Sequence, residues 1–288
     1  MGDESTAPIL VTGGTGTLGR QVVAQLREAG RKVRILSRRG REAQAAAGAG
    51  VEVVSGDLGT GQGVEAALAG TEVVLHCAGS SRGDDEKARQ LVRAGARAGT
   101  RHLVFISVVG ADAVPVAGAI DRAMFGYFES KLAAERVIAG SGLPWTTLRA
   151  TQFHDLVMLV ARQMARLPVV PLPIGFRFQP IAAGEVAARL VELASGEPSG
   201  LVPAMGGPRV YGMGDLLRST LRATGRHRLT FPVWLPGEAA RAVRAGAILA
   251  PDRAVGRLTW EEFLAARVGP PSDTTSGAML RAARSTVG

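Results

Sequence analysis

The sequence predicts an α/β fold built on a doubly wound parallel sheet. Two observations carry this prediction. Short apolar runs alternate with amphipathic stretches through the first 150 residues, and a glycine-rich turn joins the first apolar run to the first helical stretch. The apolar run at 8–12 is followed by glycines at positions 13, 16 and 19, and the helical stretch at 21–29 stops at Gly30. In this fold class, ligands bind beyond the carboxyl ends of the strands.

The following elements repeat the same alternation. Further strands are predicted at 32–37, 51–55, 73–78, 102–107 and 145–149. Helices are predicted between them at 42–47, 62–69, 84–98 and 121–139. Asp84 and Asp121 are candidate N-caps, and Gly70, Gly99 and Gly140 are candidate helix stops.

The pattern loosens after Arg149. A helix is predicted at 153–167, and a proline-stiffened connector follows at 167–174. Further helices are predicted at 184–195, 214–224 and 238–249, and Thr259 and Glu262 form a capping box that opens a last short helix. These segments predict a smaller irregular lobe on the rim of the sheet, where a pocket would form, and a flexible tail beyond about residue 270.

Composition narrows the class of protein. The chain has 288 residues, 46% of them hydrophobic and 20% charged, which is typical of a globular protein. The single cysteine, Cys77, excludes an internal disulfide and favours a reducing compartment. No signal pattern and no apolar run of about 20 residues is present, so we expect a cytoplasmic protein without a membrane partner. The net charge of +9 comes from scattered arginines, which favours solvated surfaces over a nucleic-acid partner.

The glycine turn indicates a dinucleotide site. Glycines at this spacing between a strand and a helix allow a tight turn and let backbone N–H groups approach a pyrophosphate at the helix N-terminus. The residues after the second strand indicate which dinucleotide. No acid follows that strand to bind a free ribose 2′-hydroxyl, whereas Ser37, Arg38 and Arg39 suit a 2′-phosphate. NADP(H) is therefore predicted, although the arginines also fit a solvated loop. Asp57 and Leu58 are placed to contact adenine, and Asp57 equally fits a plain turn.

Tyr127 and Lys131 lie four residues apart in the predicted helix 121–139. This spacing puts a phenol and an ammonium group on one helical face, within reach of a shared ligand. The chain has 2 tyrosines and few lysines, so a chance pair is improbable. Lys131 is expected to hold the nicotinamide ribose and to lower the pKa of the phenol, so that Tyr127 donates its proton to a substrate carbonyl.

These features resemble the short-chain dehydrogenase/reductase superfamily. The resemblance rests on the glycine spacing, the Tyr127–Lys131 pair and the run Cys77, Ala78 and Gly79. The segments 33–38, 105–110 and 148–151 resemble the atypical, NmrA-like NAD(P)H-binding branch, and residues 206–208 resemble its carboxyl lobe. The similarity covers about residues 8–265. It implies NADP(H) bound on the sheet; some members reduce quinones, enones, imines or aryl ethers, and others only sense the cofactor.

The resemblance assigns roles to individual residues. Tyr127 and Lys131 match the catalytic pair, and Lys131 also binds the cofactor. The other cofactor-binding residues it implies are Gly13, Thr15, Gly16, Thr17, Leu18, Gly19, Cys77, Ala78, Gly79 and Ser107. The superfamily usually has a serine or threonine one or two residues beyond Ser107, but this chain has Val108 and Val109. Losing such a donor costs on the order of 10²–10³ in rate. An enone or quinone held by stacking is therefore easier to accept than an ordinary ketone.

The predicted substrate pocket comprises Val108, Val109, Gln152, Phe153 and His154. Gln152 and His154 are polar residues in an apolar run and could supply the missing hydrogen bond, although a lone histidine is commonly structural. Phe176 and Phe178 fit either a pocket wall or the core. No histidine, cysteine and carboxylate set has metal-ligand spacing, so no metal is predicted.

The sequence thus predicts an NADPH-dependent oxidoreductase of the atypical short-chain type. Residues 1–150 would form the NADP(H)-binding Rossmann domain, 151–270 the substrate lobe and 271–288 the tail. The partner would be a small apolar carbonyl, enone or quinone, and the protein a monomer or homodimer. The alternative is a non-catalytic NADP(H)-sensing regulatory protein. A sugar-nucleotide epimerase is disfavoured because such enzymes usually use NAD and need the missing serine or threonine.

Overall fold

The computed structural model describes residues 7–268 except 49 and 81, so the predicted tail at 271–288 lies outside the described residues. Its central feature is a seven-stranded sheet whose strands all run parallel. The strands in chain order are β1 (Ile9–Thr12), β2 (Val33–Ser37), β3 (Val51–Ser55), β4 (Val73–His76), β5 (His102–Val108), β6 (Trp145–Ala150), β7 (Val169–Pro173), β8 (Arg177–Phe178), β9 (Gly200–Leu201), β10 (Tyr211–Gly212) and β11 (Leu229–Val233).

The strand order in the sheet is β3-β2-β1-β4-β5-β6-β9. The chain therefore winds outward from β1 in one direction to β3, and then crosses back to β4 and continues in the other direction. The carboxyl ends of β1 and β4 flank this reversal, which is where a doubly wound sheet binds its ligands. The predicted fold class is confirmed.

Helices cover both faces of the sheet. They are α1 (Thr17–Glu28), α2 (Gly40–Ala47), α3 (Val64–Leu68), α4 (Asp84–Ala98), α5 (Ala119–Ala139), α6 (His154–Met164), α7 (Ala183–Ser195), α8 (Met213–Ala223), α9 (Glu238–Ala245) and α10 (Trp260–Val268). Helices α1 and α7 bury Leu26 and Leu190 against one face, and α4 and α5 bury Leu91 and Ile138 against the other.

Two elements beyond residue 150, the helix α7 and the strand β9, pack on this sheet or extend it. Helix α7 packs on α1 in the same core cluster as β1, and β9 extends the sheet beyond β6. The remaining segments after residue 150 form the lobe, in which β7 pairs in parallel with β11 and β8 pairs antiparallel with β10. The chain thus returns to the sheet after the predicted boundary at residue 150.

The predicted proline-stiffened connector is a strand in the structure. Pro171 and Pro173 lie within β7 and are aligned with Phe231 and Val233 of β11. Prolines lack an N–H donor, so they are tolerated where a strand has only one partner, as in this two-stranded sheet. The prolines correctly predicted that this segment is not helical, but prolines are also compatible with an edge strand.

The helix starts differ from the predictions at two positions. Gly83 and Gly118 occupy the N-cap positions of α4 and α5, and neither Asp84 nor Asp121 caps with its side chain. The capping box at α10 is confirmed: Thr259 N–H donates to Glu262 Oε2 at 2.8 Å, and Glu262 N–H donates to Thr259 Oγ1 at 3.3 Å.

Within the described residues, none of the helices has the length and apolar character needed to cross a bilayer.

Candidate functional site

The turn between β1 and α1 has the geometry of a phosphate-binding loop. Gly13 adopts φ +71°, and its carbonyl oxygen accepts a hydrogen bond from Gly16 N–H at 2.9 Å. A Cβ at Gly13 would lie 2.6 Å from the backbone nitrogen of Ala78, so only glycine fits between the two strands. Helix α1 has no side-chain cap and no acidic residue in its first turn, which leaves its N-terminus suited to an anion.

A cleft of about 470 Å³ opens at this turn. It lies over the carboxyl ends of β1, β2 and β4, the place predicted for a ligand. Its walls bring together most of the predicted cofactor-binding residues: Gly13, Thr15, Gly16, Ser37, Arg38, Arg39, Asp57, Leu58, Cys77, Ala78 and Gly79. The sequence did not identify the remaining lining residues, which are Leu36, Gly56, Ser80, Arg82 and Lys87.

The end of the cleft beside β2 is cationic. Ser37 is buried, and its hydroxyl accepts the backbone N–H of Arg39 at 3.2 Å, which shapes the turn after the strand. Arg38 and Arg39 are exposed, and Arg39 lies 3.8 Å from Glu42 in a surface ion pair. Asp57 Oδ1 accepts the N–H of Gly59 at 2.8 Å, so this carboxylate also stabilises its own turn.

Five predicted cofactor residues, Lys131 among them, do not line the cleft. Thr17 opens α1 on the exposed side, Leu18 is buried in the core, and a Cβ at Gly19 would collide with the carbonyl of Gly13. These residues hold the helix against the turn. Ser107 is buried in β5, and its hydroxyl has no hydrogen-bond partner among the described residues.

Lys131 lies behind the cleft wall at Gly79. The residue is 3% exposed, and its Nζ donates to the Ile106 carbonyl at 3.3 Å. Gly79 is a residue of the cleft wall, and a Cβ at this position would lie 2.8 Å from the same Nζ. Tyr127 stands one helical turn earlier, with Nζ 5.9 Å from its ring centroid. The structure therefore brings the predicted pair together beside the cofactor cleft.

The expectation that Lys131 lowers the pKa of Tyr127 is wrong. Burial and, to a lesser degree, the carboxylate of Asp84 together raise the pKa of this phenol to about 12. Burial disfavours the phenolate, and Asp84, which pairs with Lys131 at 3.3 Å, adds a negative charge near the phenol. Tyr127 is consequently a neutral phenol at neutral pH, which is the form that can donate a proton.

Asp84 is a further residue of this site whose role the sequence did not reveal. Its side chain is fully buried at the start of α4 and lies 3.3 Å from Lys131 Nζ and 3.0 Å from Lys87 Nζ. Burial opposes its charge, but the two ammonium groups and Ser80 hold the pKa of Asp84 below its usual value. Burial lowers the pKa of Lys131, and Asp84 opposes that effect. The signal in the sequence was an acid just after Gly79, but it was interpreted only as a helix cap.

The residues predicted for the substrate pocket do not form one surface. Val108 and Val109 are buried at the end of β5, and Phe153 is partly buried against the sheet core. Gln152 lies at the edge of a separate apolar cavity of about 140 Å³ between α6 and α8. Its amide donates to the Ile248 carbonyl at 3.1 Å and accepts Gln179 N–H at 3.3 Å.

The structure places His154 in the core instead of in the predicted pocket. His154 is fully buried, and its ring stacks on Phe263 and Trp260 of α10 at centroid distances of 4.9 and 5.9 Å. Burial lowers the pKa of His154 to about 4, so the imidazole is neutral in this aromatic cluster. Phe176 packs in the core beneath α9, whereas Phe178 lines the apolar cavity.

The donor set of the described residues fits a dinucleotide and offers no metal centre. No group of three or more histidine, cysteine or acidic side chains among residues 7–268 is arranged to hold a metal ion. Cys77 lines the cleft, but burial raises the pKa of its thiol to about 12 and keeps it protonated. The glycine cradle, the uncapped helix start and the adjacent cations are what a pyrophosphate and a phosphorylated ribose require.

Together, the parallel sheet, the glycine turn at its reversal point and the cleft define a dinucleotide-binding protein of the Rossmann class. The chain belongs to the NAD(P)H-binding family, whose model matches residues 13–163. The recognition from sequence and the prediction of a nicotinamide dinucleotide, NADP(H), are confirmed at the level that this family defines.

Several characterised proteins are similar to this chain. A (4-alkanoyl-5-oxo-2,5-dihydrofuran-3-yl)methyl phosphate reductase of Streptomyces griseus is 37% identical over 146 residues, which are 50% of this chain and 48% of that protein. An NAD(P)H azoreductase of Xenophilus azovorans is 26% identical over 76% of this chain and 74% of its own length. The chain spans about half the length of the curated relatives that match it first.

Solved structures share the fold. The NADPH-dependent quinone oxidoreductase QOR2 of Escherichia coli, in complex with NADPH, superimposes with a TM-score of 0.74 at 20% identity. That alignment covers 90% of this chain and 99% of the other. At this identity the likeness shows the fold alone.

Proposed function

We propose that the protein is an NADPH-dependent reductase of the atypical short-chain type. It would transfer a hydride to a small or medium apolar acceptor: a carbonyl compound, an enone or a quinone. Residues 1–150 would supply most of the cofactor site, and residues 151–270 the side facing the acceptor. The observation that carries the proposal is the buried ammonium of Lys131 against the cleft wall at Gly79, with the neutral phenol of Tyr127 beside it.

The cofactor side of the proposal rests on the cleft. The turn from Gly13 to Gly16 would bind the pyrophosphate, and Arg38 and Arg39 would bind the 2′-phosphate of NADPH rather than the free hydroxyl of NADH. Lys131 Nζ would hold the nicotinamide ribose, because it reaches the cleft wall at Gly79. Bound NADPH supplies the hydride from C4 of its nicotinamide.

Tyr127 would supply the proton. A carbonyl, enone or quinone that accepts a hydride gains one negative charge on oxygen, and one proton restores neutrality. Because the pKa of Tyr127 is raised to about 12, its phenol carries that proton throughout the neutral range. The proton would move from the phenol oxygen to the acceptor oxygen, and solvent would then reprotonate the phenolate.

Two observations favour a conjugated acceptor. Val108 and Val109 offer no hydroxyl where the superfamily usually binds a substrate carbonyl, so an acceptor held by stacking loses least. Two similar proteins favour the same acceptor class: one is a (4-alkanoyl-5-oxo-2,5-dihydrofuran-3-yl)methyl phosphate reductase, and the other is a quinone oxidoreductase.

The test is the replacement Tyr127→Phe, assayed by NADPH oxidation with a panel of quinones, enones and ketones. We expect turnover to fall by about 10²–10⁴-fold, the usual contribution of a general acid, while NADPH binding is retained. Tyr211→Phe is the matched control, since Tyr211 bonds Glu261 away from the cleft. Unchanged turnover in Tyr127→Phe would remove the proposed proton donor.

The second candidate is an NADP(H)-sensing protein without turnover. The two buried valines favour it, because a sensor needs no donor for a substrate carbonyl. Calorimetry showing tight NADP⁺ binding, together with no NADPH oxidation across the panel, would select this function. Steady turnover with any acceptor would eliminate it.

A further inference from the structure

We propose that Asp84 is the positioning residue for Lys131, so that its carboxylate keeps the lysine charged and aimed at the cofactor cleft. The proposal rests on the proposed function for its catalytic meaning, but its first test needs neither cofactor nor turnover.

The two oxygens of Asp84 serve different ammonium groups. Oδ2 lies 3.3 Å from Lys131 Nζ on α5, and Oδ1 lies 3.0 Å from Lys87 Nζ on α4. Oδ1 also accepts the N–H of Ser80 at 2.9 Å and the Ser80 hydroxyl at 3.1 Å. Ser80 and Lys87 line the cofactor cleft, so one carboxylate ties the cleft wall to the proposed catalytic lysine.

A backbone bond fixes the carboxylate relative to α5. The N–H of Asp84 donates to Ser130 Oγ at 3.1 Å, and Ser130 immediately precedes Lys131. The start of α4 and the Lys131 turn of α5 are therefore joined at two points, through backbone and through charge. This arrangement limits the positions that the Lys131 ammonium can adopt.

Burial makes the counter-charge necessary. Lys131 is 3% exposed and rests over the Phe105 ring, with Nζ 4.9 Å from its centroid. Taking an ammonium out of water favours its neutral form unless an anion lies beside it. The other titratable groups around the pair are Lys87 on α4, His76 on β4, Cys77 after β4 and Tyr127 on α5. None of these side chains supplies a negative charge at neutral pH, because the thiol and the phenol have raised pKa values.

The replacement Asp84→Asn keeps the shape of the side chain and removes its charge. Lys131 would then face the Lys87 ammonium without an anion, so its pKa should fall. A neutral Lys131 no longer binds the cofactor as a cation. The effect should therefore grow with pH, which a merely structural role would not produce.

The first test is a ¹³C NMR titration of the lysine side chains in the protein without cofactor. The chain has lysines only at positions 32, 87 and 131, so three signals are expected, and Lys131→Met assigns one of them. Asp84→Asn should lower the titration midpoint of Lys131 by about one pH unit or more and leave Lys32 unchanged. Asp84→Glu should restore much of the midpoint. An unchanged Lys131 midpoint in Asp84→Asn would overturn the proposal.

The second test is NADPH binding by calorimetry. Asp84→Asn should weaken binding by about 10-fold at pH near 9 and less at pH near 6. In the Lys131→Met background, the same replacement should change the affinity by less than about 2-fold, because Asp84 is proposed to act through the Lys131 ammonium, which this background lacks. Equal losses in both backgrounds would show that Asp84 acts independently of Lys131. Asp85→Asn is the matched control, since Asp85 pairs with Arg89 on the outer side of α4.

A further variant covers the case in which Asp84→Asn does not fold. Lys87→Met leaves Asp84 in place and removes one of its two cations, so the Lys131 midpoint should rise. No change would show that the two lysines are not coupled through the carboxylate, and would overturn the proposal. Absence of NADPH oxidation by the unmodified protein would end the proposed reductase function, but it would leave these titration and binding results standing.

Discussion

At the scale of single residues, the proposed recognition of the adenosine end of the cofactor depends on Arg38. It is exposed on the cleft wall, whereas its neighbour Arg39 lies within 3.8 Å of Glu42. An arginine that meets a 2′-phosphate forms charge-assisted hydrogen bonds, and an unmodified ribose gives it no such partner.

Arg38→Ala should therefore weaken NADPH binding by about 10- to 100-fold, the loss of about 1.5–3 kcal/mol that a hydrogen bond to a charged group provides. NADH binding should change little. Calorimetry with both cofactors measures the two effects, and Arg41→Ala on the exposed side of α2 is the control. Equal weakening of both cofactors would contradict a role in 2′-phosphate recognition.

Tyr127 permits a direct test of the electrostatics of the site. Burial and Asp84 raise its pKa to about 12, and burial together with Glu261 raises that of Tyr211 to about 12. Free phenols ionise near pH 10.

In a Tyr211→Phe background, phenolate absorbance should consequently stay flat through about pH 10.5 while the protein remains folded. Circular dichroism recorded on the same samples shows whether the fold persists. A titration midpoint below pH 10 would mean that Lys131 dominates the environment of the phenol, as the Tyr–Lys spacing alone suggested.

At the scale of elements, the contact between α6 and α10 depends on an aromatic cluster that includes a buried histidine. His154 stacks on Trp260 and Phe263, and neither of its ring nitrogens has a hydrogen-bond partner among the described residues. Its pKa is lowered to about 4, whereas an unfolded histidine titrates near 6.5. The unfolded chain therefore takes up a proton first as the pH falls, and folding stability decreases between about pH 6.5 and pH 4.

His154→Phe should reduce this acid sensitivity, because phenylalanine fills the stacked position without a titratable group. Urea unfolding at pH 7 and near pH 4.5 should show a smaller difference than in the unmodified protein. His227→Gln, at an exposed position, is the control. An unchanged pH difference in His154→Phe would mean that other groups cause the acid sensitivity.

At the scale of the whole molecule, the two halves of the chain share one core. Leu190 of α7 is fully buried with Val22 and Leu26 of α1, although α7 follows most of the sheet by over 30 residues in sequence. Burial of this kind couples the stability of the cofactor-binding sheet to a segment beyond residue 150.

Leu190→Ala should cost about 2–5 kcal/mol and shift one cooperative transition. Single-tryptophan variants that retain either Trp145 in the sheet or Trp260 in the lobe report on each half separately. Their denaturant midpoints should coincide and move together, and Leu201→Ala, on an exposed side chain of β9, should move them little. Separate midpoints would show that the halves unfold as independent domains.

The sequence predicted the sheet because its strands are short, apolar and separated by clear glycine stops, as at Gly70 and Gly99. It did not predict β9, which has two residues, or β7, whose prolines resemble a connector. The residues that line the cleft near β1, β2 and β4 were predictable because their spacing along the chain is fixed by the turn. Asp84 and His154 were misinterpreted because their roles depend on distant partners, Lys131 and α10, which no local pattern specifies.

The all-parallel order of the strands separates the molecule into two ends with different tolerance to engineering. The cleft occupies the carboxyl end, whereas Gly30, Gly70, Gly99 and Gly142 turn the chain at the opposite end with open space around them. A peptide handle inserted near Gly142 would anchor the protein to a solid support with its cleft facing the solution. Immobilised preparations could therefore be built from that end without altering the cofactor site.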